Sequence, residues 1–465
     1  MPRFYPFSEF TADCRPDDHI VCFDGKWSDG KYKTWRDFLY DSARLREYIR
    51  SRAAKDFLLH CEDSYYFLIA YTAIMQCKKN PYLVSNTSQG FLAEIHSAGT
   101  ELLSDIDLPG AVNIPSLLAK YKNIDETTVR SFEKINAEEN GFFIFTSGST
   151  GVPKAVYSRL KEYEENNAFN LNQWGDIFVQ SKLLDTVSQC HSYGVAYSLQ
   201  IPFTAGVPFR RRRIVSPAEF ELFDDTTYML VTVPAFLKRT IDSGVQPKMK
   251  VNWIYTSGGV LTPDVAAGTD KLFGFWPVEM YGSTETCGVG WRQSKDGLAW
   301  TPFTGAKIWK TEDGCLGVSS PCIQDPNGFV IKDLVDILPD GRFMMNGRAD
   351  SIVKIEEKRI SVTEVENRLL QTGLVNDVSV IALQSEKRQY LGAVIVFTEL
   401  GKKKFSGLEK FEINRYFHDY LLQYFENVVI PKKWRYVAAI PMDLQGKKRR
   451  LEIQALFDNK EEDTQ

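Results

Sequence analysis

Four short apolar runs, Gly141–Phe145 (GFFIF), Tyr228–Val233 (YMLVTV), Val251–Tyr255 (VNWIY) and Val278–Tyr281 (VEMY), each give way to Ser, Thr, Gly or Pro. Runs this short and this uniformly apolar fit strands buried on both faces, as in a parallel sheet covered by helices. Helical stretches separate them, and the alternation points to an α/β fold. In open sheets of this kind ligands bind at the carboxyl ends of the strands. That is where this chain places its small hydroxyl-bearing residues.

A length of 465 residues suits more than one packed unit. A turn-rich stretch, Leu338-Pro339-Asp340-Gly341-Arg342, precedes Asn346-Gly347-Arg348-Ala349-Asp350. Beyond it Val378–Ala382 and Leu391–Phe397 read as strands and Leu408–Tyr424 as an amphipathic helix. The expected architecture is α/β: a large N-terminal domain, 1–347, with mixed or parallel sheets and flanking helices, then a small α+β C-terminal domain, 348–465.

A net charge of -4 does not suit a nucleic-acid or anionic-membrane partner. No run is apolar for long enough to span a bilayer, and the N-terminus has no signal-peptide core. The eight Cys are scattered, without a CxxC pair or a Cys/His cluster, which fits reduced thiols in a cytoplasmic protein. With only five His, a His-rich metal site is not expected.

The most informative segment is Phe145-Thr146-Ser147-Gly148-Ser149-Thr150-Gly151-Val152-Pro153-Lys154. Its glycines let backbone approach a ligand closely, and its hydroxyls and N–H groups can wrap phosphate oxygens. Lys154 adds a point charge. GxxxxGK[ST] does not fit, so this is not the P-loop of the common NTPases.

TSGSTGVPK resembles the signature of the adenylate-forming enzymes: acyl-CoA synthetases, aryl-CoA ligases, peptide-synthetase adenylation domains and luciferases. Further segments follow in the order of that superfamily, over roughly residues 140–450. Gln189-Cys190-His191-Ser192-Tyr193-Gly194 looks like FHxYG, and the resemblance makes His191 a gate of the acyl pocket. Ser257-Gly258-Gly259 looks like the adenine-contacting turn. Tyr281-Gly282-Ser283-Thr284-Glu285 matches YGxTE: Tyr281 against adenine, Thr284 on the α-phosphate, Glu285 on Mg²⁺. Asp333, fourteen residues before Gly347, is implied to hold the ribose hydroxyls, with Arg348 assisting. Gly347-Arg348-Ala349-Asp350-Ser351-Ile352-Val353-Lys354-Ile355 matches GRxDxxxKI, continued by Arg359 and Glu366. Asp350 falls at the hinge of a mobile small domain. Gly446-Lys447, with Arg450, matches the terminal GKxxR and makes Lys447 the catalytic lysine; its neighbour Lys448 is expected to be nearly silent. The acyl pocket is expected from His191–Ala196, Val231–Pro234, Gly258–Leu261 and Cys287–Gly290.

The resemblance implies activation of an aryl or fatty carboxylic acid by ATP and Mg²⁺, then transfer to the thiol of CoA or of a carrier-protein phosphopantetheine. The nucleophile is already ionised at neutral pH, so no general base is required. Two departures stand out. Lys332 replaces the usual Gly before Asp333, and Glu357 replaces a Gly in the loop that relatives use at the pantetheine channel. Arg210–Arg213 could meet an acidic carrier protein or a CoA phosphate, but a solvated basic edge is the favoured reading. The string YGSTETCGVGWRQ looks most like short bacterial acyl or aryl synthetases. The rivals are an amino-acid-adenylating enzyme, against which Val231–Ala235 shows no acidic residue, and a catalytically silent nucleotide-binding regulator.

Overall fold

Gly141–Ser147, Thr227–Thr232, Lys250–Thr256 and Val278–Ser283 are all strands, within two residues of the sequence runs. The computed structural model describes residues 4–96, 99–147, 153–349, 352–355, 358–384, 389–442 and 448–458. They fall into two compact units, Met1–Ala306 with Ser319–Gly328, and Lys307–Val318 with Phe329–Gln465.

The first unit holds two sheets. In a nine-stranded sheet Val278–Ser283, Lys250–Thr256, Thr227–Thr232 and Lys182–Asp185 lie side by side and parallel. Antiparallel Cys287–Arg292 and Thr301–Pro302 close one edge. In a six-stranded sheet the parallel strands run from Ala111–Asn113 to Gly141–Ser147, which turns back antiparallel as Pro153–Arg159.

Two helices of opposite sequence character fill this unit. Ser64–Gln76 (SYYFLIAYTAIMQ) is apolar around its circumference and buried along almost its whole length, as such a helix must be. Leu160–Phe178 (LKEYEENNAFNLNQWGDIF) looks half solvent-exposed by composition, yet Glu162, Asn166, Asn167 and Asn170 are all buried. One continuous core joins Phe142 and Ile144 of the smaller sheet to Met229, Val231 and Tyr255 of the larger. Each fully buried Phe or Leu in it contributes about 1.5–3 kcal/mol.

The second unit has antiparallel strands Cys315–Ser319, Phe329–Ile337 and Phe343–Arg348. It also has a three-stranded sheet of Val375–Gln384, Gln389–Phe397 and Lys433–Tyr436. Helices Val362–Gln371 and Lys410–Leu421 cover that sheet through Val365, Leu369, Phe417 and Leu421. This is the α+β pattern read from the sequence. Gly347 and Arg348, where the sequence places the domain boundary, end the Phe343–Arg348 strand.

All eight cysteines are free. Among the described residues no helix is long and apolar enough to cross a membrane. In the Arg210–Arg213 run, Arg210 pairs with Glu219 at 3.0 Å, Arg211 with Asp63 at 2.6 Å and Arg212 with Glu62 at 3.7 Å. The basic edge is therefore largely neutralised within the fold.

Candidate active site

The parallel strands of the nine-stranded sheet deliver the expected residues to one edge. Four neighbouring strands end at Asp185, Thr232, Thr256 and Ser283, and Thr232 stands in register with Thr256 and Val231 with Asp185. The segments that follow them contain His191, Val233 and Pro234, Ser257 to Gly259, and Thr284 and Glu285. Parallel packing, with its common strand direction, is what brings these distant segments together.

The Tyr281–Glu285 turn is held from behind. Thr286, fully buried, accepts the Ser283 N–H on Oγ1 at 3.1 Å and lies 3.1 Å from Ser283 Oγ. A Cβ on Gly282 would stand 1.8 Å from the Cys287 carbonyl oxygen, so only glycine fits there. Tyr281 is half-buried against Trp300, with ring centroids 5.5 Å apart. Arg292 lies 4.4 Å over the Trp300 ring and donates to both carboxylate oxygens of buried Glu279 at 2.9 and 2.8 Å. Such a bidentate pair fixes the indole and thus one flank of Tyr281. Thr284 is half-buried and Glu285 exposed. Next to it, Ser257 Oγ donates to the Met280 carbonyl at 2.8 Å, tying the Ser257–Gly259 turn to the adjacent strand. Gly258 takes a φ of 81°, which suits glycine alone without strain.

His191 is half-buried and precedes the short helix Ser192–Gly194. Its turn is pinned by Gln189, whose amide reaches Ser64 Oγ and lies 3.4 Å from Asp185 Oδ2. Ser192 Oγ accepts from the buried Tyr163 hydroxyl at 2.9 Å. Asp185 is 1% exposed and its Oδ1 has no hydrogen-bond partner. Burial pushes its carboxyl up to about 7, against which the nearby Ser198 hydroxyl, then Arg213 and Arg210, pull only partly.

The unfolded value is about 3.9, so the folded state holds this proton more tightly. Stability from the group is complete below about pH 4 and is lost as pH rises towards about 7. Asp185→Asn should therefore stabilise the protein at pH 8, by something on the order of 2–4 kcal/mol, and change little at pH 4. Thermal melts at the two pH values check this; equal shifts at both would contradict it.

Of the phosphate loop, Thr146 and Ser147 end the Gly141–Ser147 strand, and exposed Lys154 stands opposite Thr146 on the return strand. Gly148, Ser149, Thr150 and Gly151 lie outside the described residues, as do Asp350, Glu357 and Lys447. The second unit carries its own expected pair. Asp333 and Arg348 are register partners on adjacent strands, 3.4 Å apart as an ion pair, with Asp333 buried and Arg348 half-exposed. Glu366 accepts the Val380 N–H at 2.7 Å, and burial raises its pKa. That makes it a brace of the three-stranded sheet.

Sequence reasoning missed the buried amides behind this edge. Asn166 Oδ1 accepts the Gly288 N–H at 3.2 Å, Asn167 donates to Gln200 at 3.0 Å, and Gln200 reaches the Tyr71 hydroxyl at 3.1 Å. In the sequence they look like solvent-facing residues of a polar helix.

Residues 92–317 match the family model of the AMP-binding enzymes. That stretch is similar to the AMP-binding enzymes. Nonribosomal peptide synthetase 2 of Cochliobolus heterostrophus is 28% identical over 375 residues, 71% of this chain and 7% of that protein. Peroxisomal OPC-8:0-CoA ligase 1 of Arabidopsis thaliana is 23% identical over 421 residues, 79% of this chain and 74% of that protein. The chain thus spans a small part of the first relative and most of the second. ATP-bound MatB from Rhodopseudomonas palustris superimposes with a TM-score of 0.76 at 16% identity, covering 96% of this chain and 98% of that one. The two chains share one fold.

Proposed function

We propose that this chain is an AMP-binding enzyme that joins a carboxylic acid to ATP, releases pyrophosphate to leave an acyl-adenylate, and passes the acyl group to the thiol of CoA or of a carrier-protein phosphopantetheine. The observation that carries the reading is the gathering of His191, Ser257–Gly259 and Tyr281–Glu285 on one sheet edge in the order the motifs require. Among curated relatives, the CoA ligase of Arabidopsis thaliana supports acid–thiol chemistry.

Carboxylate and triphosphate are both anions, so the barrier is mainly repulsion and charge build-up at phosphorus. Positioning and positive charge lower it. Glu285, exposed at the end of its turn, suits Mg²⁺, which takes one or two carboxylates and completes its shell with phosphate and water. Bound there, Mg²⁺ would neutralise phosphate charge. Thr284 would meet the α-phosphate, Tyr281 the adenine, and Asp333 with Arg348 the ribose. Thr146, Ser147, Gly148, Ser149, Thr150, Gly151 and Lys154 would hold the departing pyrophosphate.

ATP–pyrophosphate exchange across benzoic, cinnamic, fatty and amino acids tests the reading. Exchange with an acid that lacks an amino group, followed by thioester formation, is the expected result. Exchange with amino acids alone would favour the peptide-synthetase relationship. Glu285→Ala should raise the Mg²⁺ concentration needed for half-maximal exchange at least about tenfold. Because Glu285 is exposed, its melting temperature should stay unchanged. An unaltered Mg²⁺ titration would remove Glu285 from the metal role.

A further inference from the structure

The strand after the Tyr281–Glu285 turn, Cys287–Arg292, has no room for a side chain at Gly288. A Cβ there would stand 2.3 Å from the Phe303 ring and 2.7 Å from Asn166 Oδ1. Phe303 lies flat on Phe169, centroids 3.8 Å apart and planes at 11°. From Phe169 the rings continue without a break: Trp174 at 5.8 Å, then Tyr255 at 5.9 Å, Tyr197 at 4.9 Å and Tyr193 at 5.0 Å. Tyr193 lies two residues after His191. The row of rings therefore runs from behind Gly288 to the His191 segment, connecting two of the proposed walls of the acyl site.

This row is rigid for physical reasons. Phe303, Trp174, Tyr255 and Tyr197 are buried, at 4%, 7%, 0% and 5% exposure. The Tyr255 hydroxyl donates to Asn170 Oδ1 at 2.7 Å, and Asn166 receives the Gly288 N–H at 3.2 Å. A close-packed, hydrogen-bonded interior gives way only at the loss of its contacts. A long alkyl chain entering behind Gly288 would have to displace Phe303 from Phe169. A flat ring could instead stop at the wall and meet aromatic edges there.

We infer that the acid activated by this chain is compact, a single-ring aryl or short-chain carboxylic acid whose body ends at the Phe303–Tyr193 row, and not a long-chain fatty acid. The inference rests on the acid-activating reading above and narrows its substrate class.

The test is pyrophosphate exchange by the full chain with benzoic, cinnamic, octanoic and dodecanoic acids, for the native protein, Phe303→Leu and Phe169→Leu. The native protein should use the best single-ring or short acid at least about a hundredfold better in kcat/KM than dodecanoic acid, since each mismatched methylene can cost tenfold or more. Phe303→Leu opens the wall at Gly288, and Phe169→Leu removes its support. Either should narrow that ratio at least about tenfold with the fold intact by circular dichroism. A native preference for dodecanoic acid overturns the inference, and so does an unchanged ratio in a folded variant. Should both variants misfold, the native chain-length profile decides alone. No exchange with any acid, while ATP still raises the melting temperature, overturns the enzymatic reading and the inference with it.

Discussion

Lys447→Ala should abolish pyrophosphate exchange and leave thioester formation from preformed acyl-adenylate near the native rate. The reason is charge. In the first half-reaction negative charge builds on the α-phosphate, and an ammonium placed on it acts mainly in the transition state. Losing such a contact costs roughly two to three powers of ten or more in rate. In the second half-reaction a thiol attacks a carbonyl and AMP leaves, so the same ammonium has far less to stabilise. The asymmetry also probes the proposed hinge. Asp350→Pro, which restricts φ, should keep adenylation and slow transfer, the mirror of Lys447→Ala. Equal losses in both half-reactions for Lys447→Ala would make Lys447 a structural residue. The control needs choosing with care. By sequence Lys448 is a solvated neighbour, but its ammonium pairs with Asp377 at 2.9 Å, and Lys448 forms a β-bridge with Met442. Lys448→Ala would thus carry a stability cost of its own. Arg449→Ala is the better control, because its pair with Glu452 is about half exposed on both sides and such pairs contribute little.

What the sequence disclosed and what it hid divide along a physical line. The strand runs GFFIF, YMLVTV, VNWIY and VEMY were legible because burial on both faces demands continuous apolar residues, a local signal. The turns that follow were legible as turns because Gly, Pro and small hydroxyl residues cluster there, which is again a local signal. The order of strands in each sheet was not, because pairing partners such as Lys182–Asp185 and Thr227–Thr232 are far apart in sequence. The burial of Glu162, Asn166, Asn167 and Asn170 was not legible either. Composition places such residues in water, yet three of them are buried amides because the structure supplies Gly288, Gln200 and Tyr255 as partners. Likewise Thr286, one residue past YGSTE, fastens the turn through a fully buried hydroxyl.

Asp333→Ala should raise the KM for ATP by about two powers of ten or more while the melting temperature changes little. If Asp333 accepts both ribose hydroxyls, two hydrogen bonds to a charged acceptor are lost, each worth roughly 1.5–3 kcal/mol, and every 1.4 kcal/mol is about tenfold. The stability side follows from the geometry of the pair. Arg348 stands 3.4 Å from Asp333 with 51% of its side chain exposed, so water can take over its solvation once the carboxylate is gone. A fully buried partner would leave an uncompensated charge and a far larger cost. Arg348→Ala should have the weaker ATP effect, because its part is to orient Asp333. The backbone register places Asp333 opposite Arg348 whatever their side chains do. Asp333→Asn, which keeps the shape but loses the charge and half the accepting capacity, should fall between native and Asp333→Ala. A graded rise in KM through Arg348→Ala, Asp333→Asn and Asp333→Ala, at constant melting temperature, is the expected series. A large fall in melting temperature with an unchanged KM for ATP would make the pair a strut of the second unit, and the ribose contact would have to be sought elsewhere.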